Sequence, residues 1–488
     1  MVGALLALAL LLFFIWWMSN IWSRRSLPPG PWGLPILGYL ASLDPKNPHL
    51  TLTKLSKQYG GIYGLYLGGI YTIVLSDVKL VKKVLAMDAT TGRAPLHLTH
   101  GVMRGFGLIC AQGNLWKDQR KFVSTCLRQF GASKFGVRRE ELGAKIMLQV
   151  TNSITYLKEH GAKGVDPTDA FYHTVGTFMN ELVFGLKYDR DDDTWQYIKF
   201  LQEEGIKNFG VAGPVNFLSF LRYVPKYKKV FDFIIDGMRR THKIYHDIIN
   251  DRVLNGAPKN ILEAFLAERQ RLGDAPESTQ FYNDQQFAHL LGDVFGAGLH
   301  TTLTTICWYC LHMAANPEVQ DKVHAELDAA LQGREVTLDD QDLLPCTMAS
   351  IAEVQRFNTV VPIGIPHGTL EELTVEGYRI PKGTMIMPLQ WAIHTDPKYW
   401  DEPEKFKLEH FINEEGKFYR PEAFIPYQTG KRMCVGDELA KMLLFLFIAN
   451  IMKEFRISAD GDVNFQGLNS VTYCPLPQEL IFTPRNQK

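Results

Sequence analysis

The stretch FIPYQTGKRMCVG, residues 424–436, holds one cysteine, Cys434, framed by Gly430 and Gly436 and preceded by Lys431 and Arg432. Glycine has no Cβ, so the backbone here can approach something flat or bulky. The residues that follow, DELAKMLLFLFIANIM (437–452), read as a strong helix, which puts Cys434 just before a helix N-terminus. That end carries partial positive charge and favours thiolate over thiol. Arg432 adds a donor suited to a carboxylate. A thiolate with open amides and a guanidinium beside it suits a haem iron. A buried structural cysteine is the other reading of a free thiol.

The rest of the composition is consistent with an intracellular, well-packed protein. Of 488 residues, 46% are hydrophobic and 21% charged, which excludes a disordered chain. The 52 basic and 52 acidic residues cancel, so no global charge points to nucleic acid or to a strongly anionic substrate. Seven scattered cysteines, an odd number in a long chain, argue for a reducing compartment and against a disulfide scaffold.

Residues 1–22, MVGALLALALLLFFIWWMSNIW, carry no charge, and about 20 apolar residues suffice to cross a bilayer as a helix. Trp16, Trp17 and Trp22 suit the interface, and Arg24 and Arg25 follow, which favours a luminal N-terminus and a cytosolic body. A Pro/Gly-rich linker at 23–38 is expected to act as a stiff spacer, leaving one large domain over 39–488. Short β-like runs, IYGLYLG (62–68), YTIVLS (71–76) and LTVEGYRIPKGTMIMPL (373–389), flank long helical patterns at 114–128, 140–160, 168–184, 226–254, 284–315 and 317–331. The fold class is therefore mainly α with small β-sheets. A βαβ alternation with a Gly-rich phosphate turn is missing, which argues against a dinucleotide fold.

Four other segments accompany the cysteine loop. WKDQR (116–120) puts Trp116 and Arg120 one turn apart, and EVQR (353–356) puts Glu353 and Arg356 on one helix face, with LEHF (408–411) downstream. IPHGT (365–369) supplies His367. FGAGLHTTLTT (295–305) puts two glycines and four threonines inside a helical pattern, which predicts a local opening of the hydrogen-bond ladder.

Together these segments resemble the cytochrome P-450 haem-thiolate monooxygenases, in the family's order and over nearly the whole chain. The family's leading Phe of the cysteine loop is Tyr427 here. The resemblance implies haem b bound through Cys434 with Gly436 beside it. Trp116, Arg120, His367 and Arg432 would hold the propionates. Glu353, Arg356 and His410 would form a structural lock, His410 standing where the family more usually has Arg. Thr301 would serve proton delivery, and His300, at a position commonly acidic in the family, would join that relay or face away. Lys117, Lys121 and Arg128, close together on one helix, and Lys431 beside the thiolate would dock an NADPH–cytochrome reductase.

The uncharged stretch NFGVAGPVNFLSFL (208–221) is expected to cap an apolar pocket, touch the membrane surface or belong to the core. Ala297, Val361, Ile365 and Val471 are the expected pocket residues, which suit a hydrophobic ligand with a few polar handles. GRAPLHLTHG, LWKDQRKF and QTGKRMCVGDELA look most like microsomal insect enzymes that hydroxylate ecdysteroid precursors, those acting at side-chain carbon C25 in particular. The resemblance thus implies a single-pass protein of the endoplasmic reticulum membrane. Other readings are a monooxygenase of another lipid or xenobiotic, a peroxide-rearranging haem-thiolate isomerase, and a haem sensor or carrier.

Overall fold

The long helical patterns fold where the 3.6-residue period places them. Those that build the site are α1 (Gly113–Gln129), α2 (Pro167–Phe184), α3 (Asp284–Ala315), α4 (Pro345–Phe357) and α5 (Asp437–Glu454). Local chemistry sets their ends. The Asp166 side chain accepts from the Thr168 amide with Pro167 at the first turn of α2, and Gly185 closes that helix in the left-handed region. Asn283 caps α3 by accepting from the Gln286 amide. The computed structural model describes residues 26–254 and 256–485, so the expected anchor at 1–22 lies outside the described residues. Among those described, no helix is long and apolar enough to cross a membrane.

α3 is buried without interruption from Thr302 to Met313, and α5 from Met442 to Met452. A helix buried all round sits inside a core, not on it. α3 packs along α2, and α5 packs against the helix Val137–His160. The main sheet has five strands: β1 (Ile62–Leu67), β2 (Ile70–Leu75), β3 (Gly92–Arg93), β4 (His367–Gly368) and β5 (Met385–Pro388), in the order β1-β2-β5-β4-β3. Its β3–β4 register sets Arg93 opposite His367. A two-stranded hairpin near the C-terminus, β6 (Gly467–Asn469) and β7 (Tyr473–Pro475), lies against α3.

The Pro/Gly-rich stretch differs from the spacer expected over 23–38. From residue 26 on it is docked on the sheet. The Gly64 amide donates to the Pro29 carbonyl at 2.8 Å and the Tyr39 amide to Tyr66 at 2.6 Å. A Cβ on Gly30 would lie 1.7 Å from the Gly64 oxygen, so glycine is required for this approach. Prolines lack a donor but keep an acceptor, which suits an extended edge. The 208–221 stretch also divides: Val215 and Leu218 are buried whereas Phe220 is 54% exposed.

Candidate functional site

A cavity of about 280 Å³ lies between α3 and the cysteine loop, and Cys434 borders it. Cys434 is an exposed residue on the wall of this cavity, while the protein around its Sγ still excludes much of the water. The loop is held by the Cys434 amide donating to the Tyr427 carbonyl and the Lys431 amide to Leu85, both at 3.0 Å. Gly430, at φ +78°, passes so near Leu85 that a Cβ would sit 2.2 Å from its carbonyl oxygen. Gly436 borders the cavity with open space above it. Burial holds the Cys434 thiol above its ordinary value, although the Gly436 amide, Arg120 and Lys441 pull it down. A thiol so held would give up its proton on binding a metal ion.

Three guanidiniums converge on the same cavity, from Arg93, Arg120 and Arg432. Arg432 donates to the Thr91 and Ala111 carbonyls, each at 2.8 Å, and its guanidinium sits 4.7 Å over the Trp116 ring. Its Nε is buried with no partner among the described residues. Burial, with Arg93 and Arg120 nearby, pushes the Arg432 pKa down to about 8. Burial pushes Arg93 down to about 10. Asp293, itself pushed up to about 6 by burial, is the carboxyl beside them. A crowd of buried cations around one acid is relieved by a dianion. A flat dicarboxylate such as haem, with a thiol beneath it and an indole and guanidiniums at its edge, fits this donor set.

Sequence reasoning missed Arg93. It is buried on β3, its Nε donates to the Ile109 carbonyl at 2.6 Å, and only the sheet register brings it beside His367. His367 borders the cavity. Its Nδ1 lies 2.9 Å from the Thr90 carbonyl, which can only accept, so the proton of a neutral ring is committed there. Burial, with Arg93 and Arg432 nearby, holds its pKa at about 3.

Opposite Cys434, the α3 face carries Ala297 and Thr301 into the cavity, with Val361 and Ile365 on the neighbouring wall. The expected opening of the helical ladder is not a break: α3 is helical throughout. Instead the hydroxyls bond back along it, Thr301 to the Ala297 carbonyl and Thr305 to the Thr301 carbonyl, both at 2.8 Å. Gly298 lets α2 close in, since a Cβ there would meet Met179 Cε at 2.3 Å. Two expected residues are elsewhere. His300 is one position off this face and bonds Thr472 and Cys474 of the hairpin. Val471 sits at the hairpin turn, 52% exposed, and does not border the cavity.

The Glu353–Arg356 pair is fully buried, with Arg356 Nε and Nη2 each donating to the carboxylate at 2.7 Å. Arg356 also donates to the His394 and Pro403 carbonyls, and the Lys407 amide donates to Glu353. His410 Nδ1 lies 3.1 Å from Glu353 Oε1, so the imidazole does reach the pair. On the outer face of α1, Lys117, Lys121 and Arg128 are exposed, and Lys431 pairs with Asp88 at 2.6 Å.

The family model described as "Cytochrome P450" matches residues 28–480. "Cytochrome P450 306a1" of Drosophila melanogaster is 38% identical, over 93% of this chain and 88% of its own length. "Cytochrome P450 18a1" of the same organism is 33% identical, over 92% and 85%. "Cytochrome P450 2J3" of Rattus norvegicus is 32% identical, over 94% and 92%. The chain belongs to the cytochrome P-450 family, whose cofactor is haem on a cysteine thiolate and whose reaction is monooxygenation with reductase-supplied electrons.

Proposed function

We propose that this member of the cytochrome P-450 family is a membrane-anchored monooxygenase of the endoplasmic reticulum. It hydroxylates an ecdysteroid precursor at side-chain carbon C25, with electrons passed from NADPH through a cytochrome reductase. The observation that supports the reading is the convergence of Cys434, three guanidiniums and Thr301 on one cavity with an apolar wall. Bound haem supplies the oxygen chemistry, and the chain does the rest. Cys434 holds the iron, while Arg93, Trp116, Arg120 and Arg432 hold the propionates. The Thr301 hydroxyl, anchored on the Ala297 carbonyl, keeps a lone pair for water at the cavity edge. Ala297, Val361 and Ile365 exclude solvent and hold the substrate's apolar tail. Lys117, Lys121 and Arg128 form the docking face for an acidic partner. The substrate class rests on the resemblance of the quoted motifs to insect ecdysteroid hydroxylases.

The test is turnover by the full chain in membranes with reductase and NADPH. Ecdysteroid precursors lacking the C25 hydroxyl, a fatty acid and a juvenile-hormone precursor are supplied separately, with Cys434→Ser as the blank. A single C25-hydroxylated ecdysteroid is expected. Turnover of the fatty acid alone would move the substrate to another lipid. Conversion of a lipid peroxide without reductase would replace monooxygenation by isomerisation.

A further inference from the structure

α3 presents two stripes one residue apart. Asp293, Ala297, Thr301 and Thr305 recur every four residues and border the cavity. His300, Thr304 and Trp308 recur at the same interval on the next face, and all three bond the β6–β7 hairpin. His300 Nε2 lies 2.8 Å from Thr472 Oγ1 and 3.3 Å from Cys474 Sγ. Thr304 Oγ1 is 3.6 Å from the same sulfur. The Trp308 indole donates to the Tyr473 carbonyl at 2.9 Å and its ring stacks on Tyr473 at 5.4 Å.

The far side of the hairpin reaches the cavity wall. The Tyr473 amide donates to the Val360 carbonyl at 2.8 Å, and Val360 and Val361 border the cavity. The Tyr473 ring is braced by His49 and Trp391, with centroids at 5.6 and 5.8 Å. A proton relay needs a group that faces the reacting centre and titrates near working pH. His300 does neither: it bonds the hairpin, and burial depresses its pKa to about 4, so the ring is neutral.

We propose that His300 is a positioning residue: it ties the hairpin to α3 and, through the Tyr473–Val360 bond, sets the wall that decides how a bulky ligand lies beside Thr301. The proposal rests on the haem-thiolate reading above. Thr472 is buried and Cys474 half-buried, so losing the imidazole leaves each with one partner fewer, and the hairpin loses one of its three ties to α3.

The test uses the full haem-loaded chain and two iron-binding azoles, small imidazole and bulky econazole, titrated by their spectral shifts. His300→Ala and Thr472→Val should each weaken econazole by about fivefold, the effect of one lost hydrogen bond. Imidazole, too small to feel the wall, should bind as before. The double variant should be no worse than the single ones, because both cut the same tie. His300→Gln, whose amide can still bond the Thr472 hydroxyl, should restore econazole binding. If His300→Ala unfolds, Thr472→Val and His300→Gln still decide the matter. Unchanged econazole binding, with more peroxide released per NADPH, overturns positioning and reinstates the relay. A wild-type protein without the red-shifted Soret band of the reduced carbon monoxide complex would strike at the haem-thiolate reading itself, a different failure.

Discussion

Thr301 and His300 are neighbours in the chain and opposites in the fold. A step of one residue turns a helical side chain by about 100°, which carries Thr301 into the cavity and His300 out to the hairpin. Thr301→Ala should therefore raise peroxide release per NADPH and lower coupled product, on the order of tenfold or more for a group that positions protons. Haem content should not change, because the hydroxyl's own bond is a local one to Ala297. Coupling equal to wild type would remove Thr301 from proton delivery. The sequence named Thr301 through its motif, yet Arg93 escaped notice, because a lone arginine in a short strand has no periodic signature. Its neighbours Ile109 and Ile365 are distant in sequence.

At the scale of elements, the pair on α4 holds the cysteine side of the molecule together. Glu353 accepts from Arg356, from the Lys407 amide and lies against His410, while Arg356 reaches carbonyls of the segments that follow β5. Removing one partner of a buried ion pair leaves an uncompensated charge, which costs about 3–5 kcal/mol. Glu353→Ala should cost about that much in denaturant unfolding and reduce haem retention, whereas His410→Asn, which keeps one hydrogen-bonding group, should cost roughly 1–2 kcal/mol. A Glu353→Ala protein as stable as wild type would show that packing alone holds the segment. The spacing of Glu353 and Arg356 was readable as one helix face. That His410 reaches them depends on the short turn Leu408–Phe411, which no local pattern announced.

For the whole molecule, burial decides the response to acid. His49, His289, His300, His312 and His324 are held at about 4, and His367 and His394 at about 3, in each case chiefly by burial. All are neutral in the fold and titrate near 6.5 when unfolded. Between those values the unfolded chain binds more protons, so stability is complete above about pH 6.5 and is lost as pH falls toward 4. Each group can remove up to about 1.4 kcal/mol per pH unit. Asp293, raised to about 6, acts in the opposite sense but is one group against these seven. The melting temperature should drop by roughly 5 °C or more from pH 7 to pH 5. A flat profile over that interval would show that these rings reach solvent.

By itself, the sequence determined the helical segments that carry a 3.6-residue period, the mainly α class with its small sheets, and the thiol loop ahead of α5. These are local properties, written in the spacing of apolar residues and in glycines that only a close approach requires. Tertiary structure alone decided which neighbours each polar group meets. It turned the Pro/Gly-rich stretch from a spacer into a sheet edge and committed the His367 proton to Thr90. It brought Arg120, distant in the chain, beside the Cys434 thiol. It also put Val471 in solvent and His300 against Thr472. Each outcome depends on contacts between residues far apart in the chain, and on how much water those contacts exclude, neither of which is encoded in any single stretch.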